Sequence, residues 1–217
     1  MTRPVLVLRP QPGADATAAR AAERGLRAII APLFRIAPRD WAMPDARFDA
    51  LLFTSANAVR ALDDRVDRTV PAYAVGMATA EAARAAGFES VTVGPGRIEE
   101  LIPLILADGI GSLLHLAGED RTAFDPAGLR IETRIVYAAE PVEPSPAFAE
   151  ALAEGAVALL HSARAAQRFR ALAGTGGRIA AISEGVRAAA GEGWAAVAVA
   201  DAPGDDALLA AAARLCQ

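Results

Sequence analysis

Side chains able to do acid, base or nucleophilic work are few and scattered in this 217-residue chain. There is one cysteine, Cys216, and there are two histidines, His115 and His161, so neither a thiolate nor a histidine-rich metal site is easily assembled within one chain. All 22 basic residues are arginine, which removes Schiff-base chemistry, pyridoxal-phosphate attachment and a P-loop lysine together. His161 directly precedes Ser162, but strand neighbours point to opposite faces, so they are not a base and nucleophile pair. His115, inside LLHL, reads as a packing residue. What remains is a set of hydroxyls and backbone amides at predicted strand-to-helix turns: Ser55 in FTSANAV, Ser162 in HSARAA, and the turn after Gly76. A serine N-cap leaves following N–H groups free to hold an anion, although capping alone accounts for each turn taken singly. Tyr137, in RIVYAAEP, adds a phenol that can donate a hydrogen bond or a proton; packing of its ring is the other reading. The acidic pairs Glu99 with Glu100 and Asp205 with Asp206 begin predicted helices, where carboxylates complement the helix dipole, and both read as structural.

The elements that must position these groups are legible as an alternation. Apolar runs such as VLVLRP, ALLFTS and SVTVGP are separated by Ala-rich helical runs such as ATAARAAERG and TAEAARAAG, which predicts an α/β fold with parallel sheets covered on both faces. The alternation is also a repeat. ALLFTSANAV from residue 50 returns as ALLHSARAA from residue 158, aligning Ser55 with Ser162. YAVGMATAEAARAAGFESVTVGP returns as AAISEGVRAAAGEGWAAVAVADAP, with Phe88 opposite Trp194. GLRAIIAPLF from residue 25 matches GLRIETRIVY from residue 128, which places Phe34 opposite Tyr137. A period of about a hundred residues is far too long for a solenoid unit, so two similar domains are expected, each a β-α-β unit followed by further β-α units. The segments 28–38 and 131–141 carry no glycine and no helical spacing. At about 3.3 Å per residue each could span over 30 Å, enough for a two-stranded ladder between domains.

Composition narrows the partners. The chain is 53% hydrophobic, so it can bury a substantial core, and no apolar run is long enough for export or for a membrane span. A cytoplasmic location is therefore expected. The formal charge of -4, with no basic block, argues against a nucleic-acid partner. The glycines of VGPGR and GTGGR do not complete a dinucleotide fingerprint after a first strand, which leaves a Rossmann-type nucleotide enzyme as a distant third reading.

With the repeat and its long crossovers in hand, the chain resembles the uroporphyrinogen-III synthase family over its whole length. The resemblance rests on VLVLRP, FTSANAV, VGMATA, Gly118 with Arg121 in LAGEDRT, RIVYAAEP, and the closing Gly-Trp-Ala-Ala-Val segment. It implies that 1–35 with 140–217 form one domain and 39–134 the other, joined by linkers at about 32–39 and 131–142. It also implies a cofactor-free, cyclising hydro-lyase of tetrapyrrole (porphyrin and heme) biosynthesis, acting on hydroxymethylbilane in an interdomain cleft. The upstream bilane-forming enzyme becomes a candidate partner. Tyr137 takes the place of the family's linker tyrosine and is the expected catalytic residue.

The residues expected to bind the polycarboxylate substrate are Arg9, Thr54, Ser55, Asn57, Gly76, Thr79, Gly118, Ser162 and Ser183. Arg121 and Arg164 lie near predicted strand ends and could assist. The chain departs from the family where Val186 replaces a threonine and Ser183 a glycine, which weakens the case for hydroxyl contacts from that half. The reading from another class is a non-catalytic two-domain binding protein for an anionic small molecule.

Overall fold

The computed structural model describes residues 2–217. Its first elements are β1 (Val5–Val7), α1 (Gly13–Glu23), β2 (Ala28–Ile30), β3 (Phe34–Pro38), β4 (Ala50–Phe53), α2 (Ala56–Arg60), β5 (Ala72–Ala74), α3 (Met77–Ala85), β6 (Val91–Val93) and α4 (Ile98–Ala107). There follow β7 (Ser112–Gly118), β8 (Arg130–Pro141), α5 (Pro146–Ala153), β9 (Val157–Leu160), α6 (Ala163–Ala173), β10 (Arg178–Ala181), α7 (Glu184–Ala190), β11 (Ala196–Val199) and α8 (Asp205–Ala213). The expected α/β alternation with helix-flanked parallel strands is what forms. No described helix is long and apolar enough to cross a membrane.

The strands sort into two sheets, ordered β11-β10-β9-β1-β2 and β3-β8-β7-β4-β5-β6. The neighbours β1 with β2 and β9, β10 with β9 and β11, β4 with β5 and β7, β5 with β6, and β7 with β8 all pair in parallel. The chain divides into two compact units, one running to Arg35 and resuming over Glu140–Gln217, the other Ile36–Ala139. Their sheets share one plan. The order β11, β10, β9, β1, β2 in the first is the order β6, β5, β4, β7, β8 in the second, with β3 added outside β8. The repeat maps onto this plan, with ALLFTS on β4 and ALLHS on β9, and GLRAIIAPLF on β2 where GLRIETRIVY is on β8.

Each unit holds its own core. In the first, Val5, Val7, Val157 and Leu159 pack on Leu208 and Leu209 of α8. In the second, successive residues of β4 serve opposite faces, as the period of two requires. Leu51 and Phe53 join Leu114, Leu116 and Phe88, while Ala50 and Leu52 meet Leu101, Ile102 and Ile105 of α4. Every residue of β1, β4, β7 and β9 is buried, which explains why these strands read as unbroken apolar runs.

Two expectations need correction. The stretch 28–38 is not one strand but two, β2 and β3, separated at Ala31–Leu33. Pro32 has no N–H to give a ladder, and the flanking amides of Ala31 and Leu33 remain on Val7 and Leu8. Its counterpart β8 runs unbroken for 12 residues. The second correction concerns the repeat, since β1 and β2 are joined by α1 but β7 and β8 by the helix-free segment 119–129. That segment carries Pro126, Gly128 at φ 89° and Ala127 at φ 49°, with Asp125 accepting from the Ala127 amide in a side-chain turn, none of which fits a helix.

Candidate functional site

In the unit Ile36–Ala139 the parallel strands β4, β7 and β8 bring their carboxyl ends to one edge of the sheet, the edge at which open α/β sheets bind ligands. The segment after β7 folds there without a helix and leaves a pocket of about 340 Å³. Thr54 and Ser55 enter it from the end of β4, His115 and Gly118 from β7, and Tyr137 from β8. Asp120, Arg121, Thr122 and Phe124 close it from the segment after β7.

Tyr137 is aimed by two features of the backbone. Pairing of β7 with β8 slips between Ala117, opposite Ile135, and Gly118, opposite Tyr137. One extra residue on β8 therefore puts Tyr137 rather than Val136 against Gly118, and the re-aiming of a side chain is what a bulge does. Gly118 then receives the ring: a Cβ added there would lie 2.6 Å from Tyr137 Cζ and 2.7 Å from Oη, so only glycine fits. The half-buried ring rests on the Leu51, Phe53 and Val136 cluster. Its hydroxyl makes no hydrogen bond among the described residues. The other tyrosine differs, since Tyr73 donates to Asp108 Oδ2 at 2.7 Å, and burial together with that carboxylate pushes its phenol up to about 12.

His115 is 2% exposed and stands across from Thr54, with Nε2 3.0 Å from Thr54 Oγ1. The Phe124 ring packs edge-on against it at 5.7 Å between centroids. Burial, helped by the positive charge of Arg121, lowers its pKa to about 4, so the imidazole is neutral at pH 7. It is both a packing residue and part of the pocket wall. The chain around it gave no sign of the second role, because its partner Thr54 lies 61 residues away.

Among the other residues singled out in this unit, Ser55 caps α2 and accepts from the Asn57 amide at 3.2 Å. α2 is only five residues long, so its dipole offers an anion little. Asn57 turns its Oδ1 to Arg60, Gly76 caps α3, and Thr79 is 6% exposed within that helix. These three lie beside the pocket rather than in its lining.

Arg9, Ser162 and Ser183 belong to the other unit. Ser162 caps α6 by accepting from Ala165, and Ser183 caps α7 by accepting from the amide of buried Val186. Arg164 stacks over Phe34, the repeat partner of Tyr137, at 4.7 Å from the ring centroid. Arg9 is built into a polar cluster on Asp205, the first residue of α8. Its Nη1 is 3.4 Å from Asp205 Oδ1 and 3.3 Å from Thr17 Oγ1. Asp205 also accepts from Thr17 at 2.6 Å and Arg20 at 3.0 Å, and lies 2.7 Å from His161 Nε2. Burial raises the Asp205 carboxyl, but the His161 and Thr17 hydrogen bonds and the charge of Arg9 outweigh it and hold the group well below the ordinary range. Asp205 thus does more than complement the dipole of its helix. Among the described residues no group of three or more His, Cys, Asp or Glu is placed to hold a metal ion.

The family model described as uroporphyrinogen-III synthase HemD matches residues 15–210. A uroporphyrinogen-III synthetase structure from Helicobacter pylori 26695 superposes with a TM-score of 0.67 at 20% identity, covering 99% of this chain and 100% of that one, a likeness of fold. A mutant uroporphyrinogen III synthase from Thermus thermophilus gives 0.45 at 17% identity over 91% of this chain and 92% of that one. A second Thermus thermophilus uroporphyrinogen III synthase structure gives 0.41 at 17% identity over 100% of both chains. No curated protein sequence matches.

Proposed function

Since the chain belongs to the uroporphyrinogen-III synthase family, we propose that it cyclises hydroxymethylbilane with inversion of ring D and loss of water. The observation that carries this reading to particular residues is the Tyr137 hydroxyl, uncommitted to other side chains and seated in the pocket by Gly118. The pocket, at about 340 Å³, has room for one acid-bearing pyrrole ring of the substrate rather than all four.

In the proposed sequence, Tyr137 gives a proton to the ring-A hydroxymethyl oxygen, the C–O bond breaks, and departure of water leaves an electrophilic azafulvenium ion. The substituted α-carbon of ring D attacks it, forming a spiro intermediate. The bond from that carbon to its original bridge then breaks, and the freed bridge carbon rejoins ring D at the other α-carbon. Loss of the proton there restores the pyrrole and balances the one that Tyr137 supplied. The electrons belong to the substrate throughout. The protein supplies the acid, a folded conformation of the bilane, and exclusion of the direct closure that gives the uninverted isomer.

Incubation with hydroxymethylbilane, followed by resolution of the type I and type III macrocycles, tests the proposal: type III product supports it, and type I alone leaves an anion-binding protein. The Gly118–Tyr137 contact gives a second expectation. Gly118→Ala must push the ring aside, which costs about 1–3 kcal/mol of stability. Type III formation is expected to fall about tenfold or more, as it would on loss of a positioned acid, while urea unfolding remains cooperative. Full activity in Gly118→Ala would detach the ring position from the chemistry.

A further inference from the structure

The pocket holds one group that the proposed mechanism leaves unused. His115 is sealed from bulk water yet forms part of the pocket wall, and Nε2 is engaged with Thr54. Its second nitrogen, Nδ1, makes no hydrogen bond among the described residues. It is not among the buried side-chain atoms left without a partner, so it is open to an occupant of the pocket whose wall His115 forms. The charged groups facing the pocket are Arg121 and Asp120, both from the segment after β7, and β8 brings the titratable Tyr137. β4 contributes the neutral Thr54 and Ser55, and α4 contributes Ile98. Glu99 and Glu100 of α4 are exposed and paired with Arg97.

We propose that His115 is a carboxylate receptor: an acidic arm of the ligand binds between Arg121 and His115 Nδ1, and the imidazole takes up one proton from solvent as it does so. This rests on the reading of the pocket as the seat of an acid-bearing ring. Thr54 makes the change of state possible without moving the backbone. A hydroxyl donates and accepts, so it can give its proton to a neutral Nε2 in the empty pocket and accept from Nε2–H once the ring is an imidazolium. Arg121 repels that cation while the pocket is empty, and an anion placed between the two reverses the sign of the interaction. A neutral ligand of the same shape, such as an ester, supplies no such reversal. The consequence is selection for the ionised acid over its ester or amide, tied to proton uptake.

The test is NMR titration of the two imidazoles in the intact protein, with His115→Gln to assign the resonances. The probe is a monopyrrole bearing one acetate and one propionate, and its dimethyl ester is the control. Saturating diacid is expected to move the His115 midpoint up from about 4 by roughly one to three pH units, as a new opposite charge does. The diester leaves it in place. Affinity for the diacid rises as pH falls from the ligand-bound midpoint toward about 4, by up to tenfold per unit, and His115→Gln binds without that dependence. A His115 midpoint unchanged by the diacid, or moved equally by the diester, overturns the inference. Type III synthesis beside an unmoved His115 refutes the receptor alone and leaves the synthase reading intact.

Discussion

Tyr137→Phe is expected to slow formation of the type III macrocycle by an order of magnitude or more, since a positioned acid typically contributes about a hundredfold or above, while the fold and substrate affinity are kept. The substitution removes one oxygen and leaves the ring, which continues to fill its place against Gly118 and the Leu51, Phe53 and Val136 cluster. No protein hydrogen bond is lost with it among the described residues, so a stability change near zero is anticipated. The effect should fall on the rate of the chemical step in single turnover rather than on KM, because the phenol acts on a leaving group that carries its developing charge only in the transition state. Unchanged single-turnover rates in a folded Tyr137→Phe protein would make Tyr137 a packing residue. The matching substitution Tyr73→Phe is the control for loss of a committed phenol. It breaks the bond to Asp108 and is expected to lower stability by about 1 kcal/mol without touching turnover.

The largest stability effect is expected at Asp205. Asp205→Ala leaves Thr17, which is fully buried, and His161 without their acceptor, and turns Arg9 and Arg20 from partners into repelling neighbours. The arginines are partly exposed and can reach water, which limits the penalty, so a loss of about 2–4 kcal/mol in urea unfolding is expected. Asp205→Asn retains acceptors and should lose less. The pH dependence has a definite sign. The folded-state pKa of Asp205 is depressed, so its contribution is complete above the ordinary aspartate value of about 4 and is lost as pH falls below it toward the folded value. Wild-type stability should therefore fall more steeply than that of Asp205→Asn below about pH 4. Equal slopes would show that the carboxylate is not ion-paired in solution.

The fold was legible in the sequence where local pattern and internal similarity coincide. Ser55 and Ser162 were aligned by the repeat and both cap helices at the ends of equivalent strands, β4 and β9. The match of GLRAIIAPLF with GLRIETRIVY located equivalent strands β2 and β8 in two sheets of one plan. Repeat similarity failed where one copy had diverged, since 119–129 aligns with a helical stretch but holds Pro126 and Gly128 and folds as a loop. That loop is what opens the pocket. The polar pairings were not legible for a different reason. His115 meets Thr54 across 61 residues, His161 meets Asp205 across 44 and Arg9 meets Asp205 across 196, and such contacts leave no periodicity to read. The bulge at Gly118 belongs with them, because a one-residue slip is invisible until the two strands are side by side.

The proposed activity stands or falls with ring-D inversion by this chain. The most direct measurement is the product distribution from a fixed amount of hydroxymethylbilane at rising protein concentration, oxidised to porphyrins and resolved by isomer. The type III fraction should climb from the spontaneous background toward completeness as enzyme is added, and the same series with Tyr137→Phe should require about tenfold more protein or longer times. A product that stays type I at every protein concentration, from a chain that is folded and binds the bilane, would contradict it.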